Sequence, residues 1–411
     1  MKQTATRIST YSADVMGVCS ALFELGGMTV MHDASGCNST YTTHDEPRWY
    51  DMDSMVYISG ISEMEAIMGD DEKLIGDIAD AAAELRPAFI AIAGTPIPTM
   101  TGFDFEAVAE VIEQRTGIPC FGFPTTGMNT YIHGVSMALA GIAGRFVDEP
   151  PADKERSDKL KVNILGLTPL DFSVNGQDRS IAEWLESEGF EVVSKWAMGS
   201  SIEEIRHAGE ADINLVVSAA GFGAAEVLHE RFGTPYAVGL PVGNELPEMM
   251  ADLMKRKLDE FREPDTFEPD DDSFESREIS IESGIFLYGS DAAYEKDFAA
   301  VIGEGVASLS LASSIEMECG IPAKVLCATE FPEYELRECD RLTPDEDDII
   351  PELEGAAFVI ADPLYRPIVP ESAKFIALAH EAFSGRIYRD DIPDLIKDFD
   401  SLADQLGGPH R

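Results

Sequence analysis

Residues 71–123 decide the fold class, and they read DEKLIGDIADAAAELRPAFIAIAGTPIPTMTGFDFEAVAEVIEQRTGIPCFGF. Apolar residues recur at helical spacing over Asp71–Leu85, and a continuous apolar run, Phe89–Ala93, follows. A second helical pattern over Asp104–Thr116 leads into a second apolar run, Pro119–Phe123. Helices that alternate with fully apolar strands indicate βαβ units and a parallel sheet covered on both faces.

The same alternation continues on both sides of this stretch. Further strands are predicted at Met28–His32, Val162–Leu167, Ile213–Ser218, Gly284–Tyr288, Ala323–Cys327 and Ala357–Ala361. Further helices are predicted at Ser180–Glu188, Gly223–Phe232, Glu245–Lys257 and Asp391–Leu406. We therefore expect an α/β protein along the whole chain.

Two charged, polar segments interrupt the alternation and predict linkers. The first is 148–159, which contains Pro150 and Pro151. The second is 259–279, within a stretch (259–282) that holds eleven acidic residues against Arg262 and Arg277. Like charges repel and extend a chain. The linkers separate three predicted domains, 1–147, 160–258 and 280–411, each about the size of one open α/β domain.

The composition excludes several classes of function. The 411 residues carry 76 Asp and Glu against 30 Lys and Arg, a formal net charge of −46. Such a chain is expected to bind neither nucleic acid nor an anionic membrane surface, because both require a basic face. With 45% hydrophobic residues, it should nonetheless fold. A polar N-terminus and the lack of a membrane-length apolar run predict a cytoplasmic protein. No GxxxxGK[ST] motif occurs, so no nucleotide is expected on this chain.

Ligands of open α/β domains bind in loops at the carboxyl ends of the strands. The first strand ends in His32 and is followed by Cys37, whose thiolate a helix N-terminus would favour. The next loop carries Thr95 and Thr99, which could bind a polar ligand or serve ordinary turns. The cleft between the domains is the default ligand site, and its expected walls are the loops near Cys37, 95–102, 168–173, 218–223 and His380. The candidate ligand-binding residues are His32, Thr95, Thr99, Ser218 and His380.

The order of several motifs resembles the nitrogenase component 1 family. The matching stretches are Gly17, His32 to Cys37, Asp70 to Leu74, Gly102 to Glu106, Ile118-Pro119, Gly127, Asn163 to Gly166, Asn214 to Val217, Phe232 to Tyr236 and Pro241 to Gly243. This family includes the subunits of the molybdenum-iron protein, cofactor-assembly scaffolds, dark-operative protochlorophyllide reductase subunits and the F430-biosynthesis reductive cyclase. The resemblance implies three Rossmann-like domains, each with a parallel sheet flanked by helices.

The resemblance also implies a redox function. Family members carry out multi-electron reductions with electrons from a separate, ATP-hydrolysing iron–sulfur protein. A cluster at the interface of two component 1 subunits receives these electrons. This chain is accordingly expected to pair with itself or with a second component 1-like subunit, and to have an ATP-dependent iron–sulfur reductase as its partner.

The sequence departs from the family at the metal ligands. Of the three cysteines that usually hold the interface cluster, Cys37 matches the middle one. The first falls near Ser12, with Cys19 in the following helix, and the third has no counterpart in 94–98. Ser218 stands near the place where the catalytic subunit carries a cofactor cysteine, and His380 is the histidine nearest its cofactor histidine. The chain is therefore not expected to be a nitrogenase.

Three routes to an iron–sulfur cluster stay open on these residues, since a cluster typically takes four protein ligands. The ligands could come from Cys37 and Cys19 of each chain of a dimer, from Cys37 with an oxygen ligand such as Asp33 or Ser12, or from a cysteine-richer second subunit. The first hypothesis is an oxidoreductase subunit that reduces a bound small molecule or tetrapyrrole. The alternative is a non-catalytic scaffold that binds a cofactor or ligand on the same fold.

Overall fold

A computed structural model of the chain describes residues 12–34, 36, 38, 41, 46–151, 159–262, 284–285 and 296–407. They form three separate parallel sheets with helices packed around them. The fold is therefore α/β with three Rossmann-like units, as the sequence predicts. Parallel strands need helical crossovers, which explains why each strand is followed by a helix or a long loop.

The first sheet has the strand order β2-β1-β3-β4. Its strands are β1 (Met28–Met31), β2 (Met55–Ile58), β3 (Ile90–Ala93) and β4 (Cys120–Phe123). The helices of this unit are α1 (Asp14–Leu22), α2 (Glu63–Met68), α3 (Asp71–Leu85), α4 (Pro96–Thr101), α5 (Phe105–Thr116) and α6 (Tyr131–Phe146).

The second sheet has the order β6-β5-β7-β8-β9. Its strands are β5 (Leu160–Leu165), β6 (Phe190–Lys195), β7 (Ile213–Val216), β8 (Tyr236–Val238) and β9 (Gly284–Ile285). The helices are α7 (Pro169–Phe172), α8 (Gln177–Ser187), α9 (Ile202–Arg206), α10 (Phe222–Phe232) and α11 (Leu246–Arg262), with short 3₁₀ turns at His207–Glu210 and Ala219–Gly221.

The third sheet has the order β12-β11-β10-β13-β14. Its strands are β10 (Phe298–Gly303), β11 (Ala323–Cys327), β12 (Arg341–Leu342), β13 (Ala356–Ala361) and β14 (Lys374–Ala377). The helices are α12 (Gly305–Ser314), α13 (Glu346–Glu352), α14 (Glu381–Tyr388) and α15 (Phe399–Leu406), with a π-helical turn at Ile315–Cys319 and 3₁₀ turns at Glu333–Glu335, Pro363–Ile368 and Arg389–Asp391.

Helix α6 leaves the first sheet and packs against both α1 and α10, so it joins the first unit to the second. Its contact with α1 is close enough to require glycine. A Cβ atom on Gly17 would lie 2.2 Å from the backbone oxygen of Tyr131, and one on Gly134 would lie 1.8 Å from that of Asp14. The buried apolar residues of all three units accordingly join into one continuous cluster, with a smaller one beneath α3 and α5.

Most predicted elements form within a few residues of their expected bounds, and Asp71–Leu85 forms unchanged. Two differ in an instructive way. The predicted helix Asp391–Leu406 is helical only from Phe399. Pro393 cannot continue a helix, and two amides of the second unit bind the segment instead: Asn175 Nδ2 donates to Ile392 O at 2.9 Å, and Leu395 N–H donates to Gln177 Oε1 at 3.1 Å.

The segment predicted as the first strand of the third domain contributes a strand to the second sheet instead. Gly284–Ile285 pairs with β8 as β9, while the rest of the predicted strand, 286–288, lies outside the described residues. The centre of the third sheet is instead β10, an apolar strand that was not among those predicted. Within the described part of the chain, every helix is too short or too polar to cross a lipid bilayer.

Candidate ligand site at the domain junction

Polar side chains gather where strands of the second and third sheets end. Asp171 lies in α7, in the loop after β5, and Ser218 follows β7. Glu304 directly follows β10, Asp362 directly follows β13, and His380 follows β14. Each position comes from the carboxyl edge of a parallel sheet, which is the edge at which α/β proteins bind ligands.

The Asp171 carboxylate joins all three units. Its Oδ1 accepts a hydrogen bond from the Tyr131 hydroxyl of the first unit, and its Oδ2 accepts one from Ser218 Oγ of the second. His380 Nε2, from the third unit, lies 3.3 Å from Oδ1. The carboxylate is almost fully buried, with 4% of its side chain exposed. Buried charges need such partners, so Asp171 fixes the relative positions of these three side chains.

His380 is held so that it can carry a proton. Its ring lies 4.4 Å from the ring of Phe383, and its backbone N–H donates to Asp362 Oδ2 at 2.9 Å. Burial alone would lower the pKa of His380, but the nearby carboxylates of Asp171, Asp362 and Glu304 raise it above the usual value. Both ring nitrogens are buried, and among the described residues neither meets the geometry of a hydrogen bond, so Nε2 has only its ion-pair contact with Asp171. Nδ1 is therefore available to a bound group.

Glu304 is a second proton-holding group. Its side chain caps α12 by accepting from the N–H groups of Val306 and Ala307, and it also accepts from Ala219 N–H of the second unit at 2.9 Å. Burial and the charge of Asp171 nevertheless raise the pKa of Glu304 from 4.5 to about 7. This carboxyl group therefore exchanges its proton near neutral pH, which is what a general acid requires.

Asp362 completes the set of acids. Burial raises its pKa, although hydrogen bonds from Ser384 Oγ and from the N–H groups of Leu364 and His380 act in the opposite direction. Of these donors only Leu364 N–H is local, because Asp362 caps the 3₁₀ turn that follows β13, whereas His380 and Ser384 come from the segment after β14. The hydrogen bond to His380 N–H couples Asp362 to the imidazole that faces Asp171.

A small cavity of about 50 Å³ lies between these groups. Its lining combines polar residues, among them Asp171, Glu304, Asp362 and His380, with apolar ones such as Leu311, Leu378 and Phe383. The volume suffices for a few water molecules or for a small part of a larger ligand. The arrangement can bind a polar group and exchange protons with it.

Further contacts between the units close the junction around this cavity. Ser12 N–H donates to Ala382 O at 3.0 Å, and Thr130 N–H donates to Glu330 Oε1 at 3.0 Å. Ser173 Oγ donates to Glu381, which also forms an ion pair with Arg389. The site is therefore surrounded by hydrogen bonds that would have to break if the units separated.

The structure brings together two of the five predicted ligand-binding residues, Ser218 and His380. The other three lie together at the edge of the first sheet, outside the Asp171 network. Thr95 Oγ1 donates to His32 O at 2.9 Å, and Thr99 Oγ1 donates to Thr95 O at 2.9 Å. Both threonine hydroxyls thus stabilise local backbone, the turn role that the sequence left open.

The described residues do not provide a site for an iron–sulfur cluster. Cys37 lies outside them. Cys19 is fully buried in α1, where burial and the charge of Glu46 raise the pKa of its thiol, so it resists forming the thiolate that binds iron. Among the described residues, no group of three or more His, Cys, Asp or Glu side chains is placed to hold a metal ion. The junction offers Ser218 and carboxylates where a thiolate would be needed, so we derive no step through a cluster.

Sequence reasoning missed Tyr131, Glu304 and Asp362, and it placed the loop 168–173 along the cleft without singling out Asp171. A signal for the acids was present, because Glu304 and Asp362 each follow an apolar strand without a gap. No local signal marks Tyr131, whose hydroxyl reaches Asp171 only because α6 crosses from the first unit to the second.

These features define a class: a three-unit α/β protein with a polar cavity, its candidate ligand site, where the second and third units meet. The sequence model of the family described as nitrogenase component 1 type oxidoreductase matches residues 14–354. The chain belongs to this family.

Individual relatives are distant. The chain is 28% identical over 186 residues to the nitrogenase iron-molybdenum cofactor biosynthesis protein NifE of Clostridium pasteurianum, a match that covers 44% of this chain and 38% of the relative. It is 32% identical over 119 residues to a light-independent protochlorophyllide reductase subunit of Chlorobium phaeobacteroides (strain BS1), covering 28% and 22% of the two chains. The matched segment thus spans about two fifths or less of these relatives' length.

The likeness of the fold extends further than that of the sequence. A solved structure described as nitrogenase Cp1 at pH 6.5 superposes with a TM-score of 0.66 at 14% identity, over 99% of this chain and 93% of that one. This match covers all three units, so the three-unit arrangement is the family's own.

Proposed function

We propose that this chain is an oxidoreductase subunit that takes electrons from an ATP-dependent iron–sulfur reductase and reduces a small molecule, or part of a tetrapyrrole, bound at the domain junction. One observation carries the proposal: proton-holding groups converge on a cavity in a member of a family of oxidoreductases. Adding two electrons to a double bond also consumes two protons. His380 and Glu304, with pKa values raised by their surroundings, are placed to deliver them.

The electrons must come from outside the described residues. We propose a partner reductase for this reason, and a dimer with a second copy or with another component 1-like subunit. A cluster shared across that interface, with Cys37 as a ligand, remains part of the proposal. The cytoplasm is the compartment we expect for such a complex.

Iron content tests the redox role. The protein is purified anaerobically, alone and in complex with the partner reductase, and iron and acid-labile sulfide are measured. We expect both elements in the complex in excess of what the reductase contains by itself, and Cys37→Ser should remove that excess. Cys319→Ser is the matched control, because Cys319 is only half-buried and lies outside the site. A complex that holds no iron beyond that of the reductase would contradict the electron-transfer role.

The proton-donating role has a separate test. His380→Gln keeps a hydrogen-bonding side chain opposite Asp171 but cannot carry a proton at neutral pH. We expect the pH profile of product formation to lose the limb that His380 sets, with substrate affinity retained. An unchanged profile would exclude His380 as a proton donor.

The alternative function is a scaffold that binds a cofactor or ligand without reducing it. The absence of a thiolate from the described junction residues favours this alternative, as does the similarity to a cofactor biosynthesis protein. A reductase activity that Cys37→Ser abolishes while the fold stays intact would exclude the scaffold.

A further inference from the structure

A second cavity, of about 180 Å³, lies in the first unit and is separate from the junction site. In the strand order β2-β1-β3-β4, the chain passes from β1 to β2 on one side and then to β3 on the other side of β1. The topological switch point of this sheet therefore lies between β1 and β3. Open α/β sheets bind ligands in the crevice at this point. His32 follows β1 and Ser59 follows β2, while Phe103 comes after α4, and all three line the cavity.

His32 has an unused nitrogen at this cavity. Its side chain is only 5% exposed. His32 Nδ1 lies 2.9 Å from Ser59 Oγ, and we assign the Nδ1–H tautomer because the Ser59 hydroxyl has a second acceptor for its single proton, Asp33 O, at 3.2 Å. This leaves a lone pair on Nε2, to which no described residue hydrogen-bonds. Burial lowers the pKa of His32 to about 4, so the ring is neutral, and it lies 4.4 Å from the ring of Phe103.

The remaining polar lining is mostly acidic. Asp70, Asp71, Asp77 and Asp104 contribute carboxylates, and Lys73 is already paired with Glu65 at 2.7 Å. Among the described residues, no hydrogen bond or ion pair reaches the carboxylates of Asp70 and Asp77. Burial, and to a smaller extent the charge of Asp70, raise the pKa of Asp71. The cavity therefore has acceptors and negative charge in excess.

We propose that this cavity binds an organic cation, a guanidinium or ammonium group, with N–H groups facing His32 Nε2 and the free carboxylates and with its carbon atoms against Phe103. Such a group supplies the donors and the positive charge that the cavity lacks. A metal ion fits less well, because no set of three His, Cys, Asp or Glu side chains in the described ranges is placed to coordinate one. The inference does not depend on the redox proposal.

The cation could belong to a free amine or to a side chain of a partner protein. Helix α2 supplies Glu65 and Ala66 to the cavity wall, and none of its six residues is buried. Its Met64, Ile67 and Met68 are 68–71% exposed, and Met100 of the neighbouring α4 is 86% exposed. These exposed apolar side chains, on α2 and α4, would stabilise a cation that is carried on a chain with apolar neighbours.

Titration of the full chain tests the proposal. Methylguanidinium and n-butylammonium are added, with urea as the neutral isostere, and binding is followed by calorimetry and by the NMR signals of the His32 ring. We expect saturable binding of the cations and none of urea. Asp77→Asn should weaken binding about tenfold, as loss of a hydrogen bond to a charged group does. Asp80→Asn, on the same helix but outside the cavity, should change it less than about twofold.

Further measurements distinguish a free amine from a partner's side chain as the source of the cation, and they can overturn the proposal. Tighter binding of acetyl-Leu-Arg-Leu-amide than of methylguanidinium, lost in Ile67→Ser, identifies a partner's side chain. Equal affinities identify a free small molecule. The proposal is overturned if neither cation shifts the His32 signals, if Asp77→Asn and Asp80→Asn act alike, or if Mg²⁺ or inorganic phosphate produces the same response.

Discussion

Replacement of Glu304 by glutamine should change the stability of the protein by different amounts at low and high pH. The carboxyl group is 1% exposed and accepts hydrogen bonds from Ala219, Val306 and Ala307 N–H groups. Burial and Asp171 raise its pKa in the folded protein to about 7, from 4.5. The folded state thus binds a proton that the unfolded state has released, so stability falls as the pH rises between these two values and is constant above about 7.

The size of the effect follows from the two pKa values. Between pH 5.5 and pH 8, this single group lowers the free energy of unfolding of the wild type by about 2 kcal/mol. Glutamine does not titrate, but its amide N–H₂ opposes backbone donors and costs about 1–2 kcal/mol relative to the wild type with Glu304 protonated. Glu304→Gln is therefore expected to be less stable than the wild type at pH 5.5 and about equal to it at pH 8.

Urea unfolding at the two pH values, followed by tryptophan fluorescence, measures this difference. Asp104→Asn is the matched control, because Asp104 also caps a helix, through Ala107 N–H, but is exposed. Its effect should be the same at both pH values. A stability difference between wild type and Glu304→Gln that does not change with pH would refute the reasoning, since it would place the folded pKa near its ordinary value.

Two further substitutions test the packing and the ion pairs. Gly17→Ala should lower the free energy of unfolding by about 2 kcal/mol or more, because its Cβ would lie 2.2 Å from Tyr131 O. Gly76→Ala on α3 has nothing within 4 Å of its Cβ and should raise the free energy of unfolding by about 0.5–1 kcal/mol. Thermal unfolding compares the two variants, and equal effects would contradict the close approach at Gly17. Arg48→Met should cost about 3–5 kcal/mol in chemical unfolding, because it leaves the buried Glu46 carboxylate without its cation at 2.7 Å. A loss below about 1 kcal/mol would mean that the pair behaves like an exposed one.

Local signals determined much of the fold. The helix Asp71–Leu85 formed at its expected bounds because its apolar spacing, its acidic first turn and the proline after it agree. The tail is the opposite case. Its periodicity is helical from Asp391, yet Asn175 and Gln177 bind Ile392 and Leu395 in a non-helical segment. Contacts between residues more than 200 positions apart are not encoded in any local pattern.

The site divides in the same way. The positions of Ser218 and His380 followed from the rule that ligand loops lie at the carboxyl ends of parallel strands, and the family resemblance led to the same residues. That rule equally favoured His32, Thr95 and Thr99, since each follows a strand of the first sheet. It could not indicate which loops face one another, because that depends on how the three sheets are oriented.

By itself, the sequence determined an acidic α/β chain of three parallel sheets, because strand and helix periodicities are local properties of the chain. The tertiary structure alone decided that Tyr131, Asp171 and His380, one from each unit, meet at one buried carboxylate. It also decided the proton affinities there. The pKa values of Glu304 and His380 depend on burial and on charges brought from distant parts of the chain, and both exist only after the units have packed together.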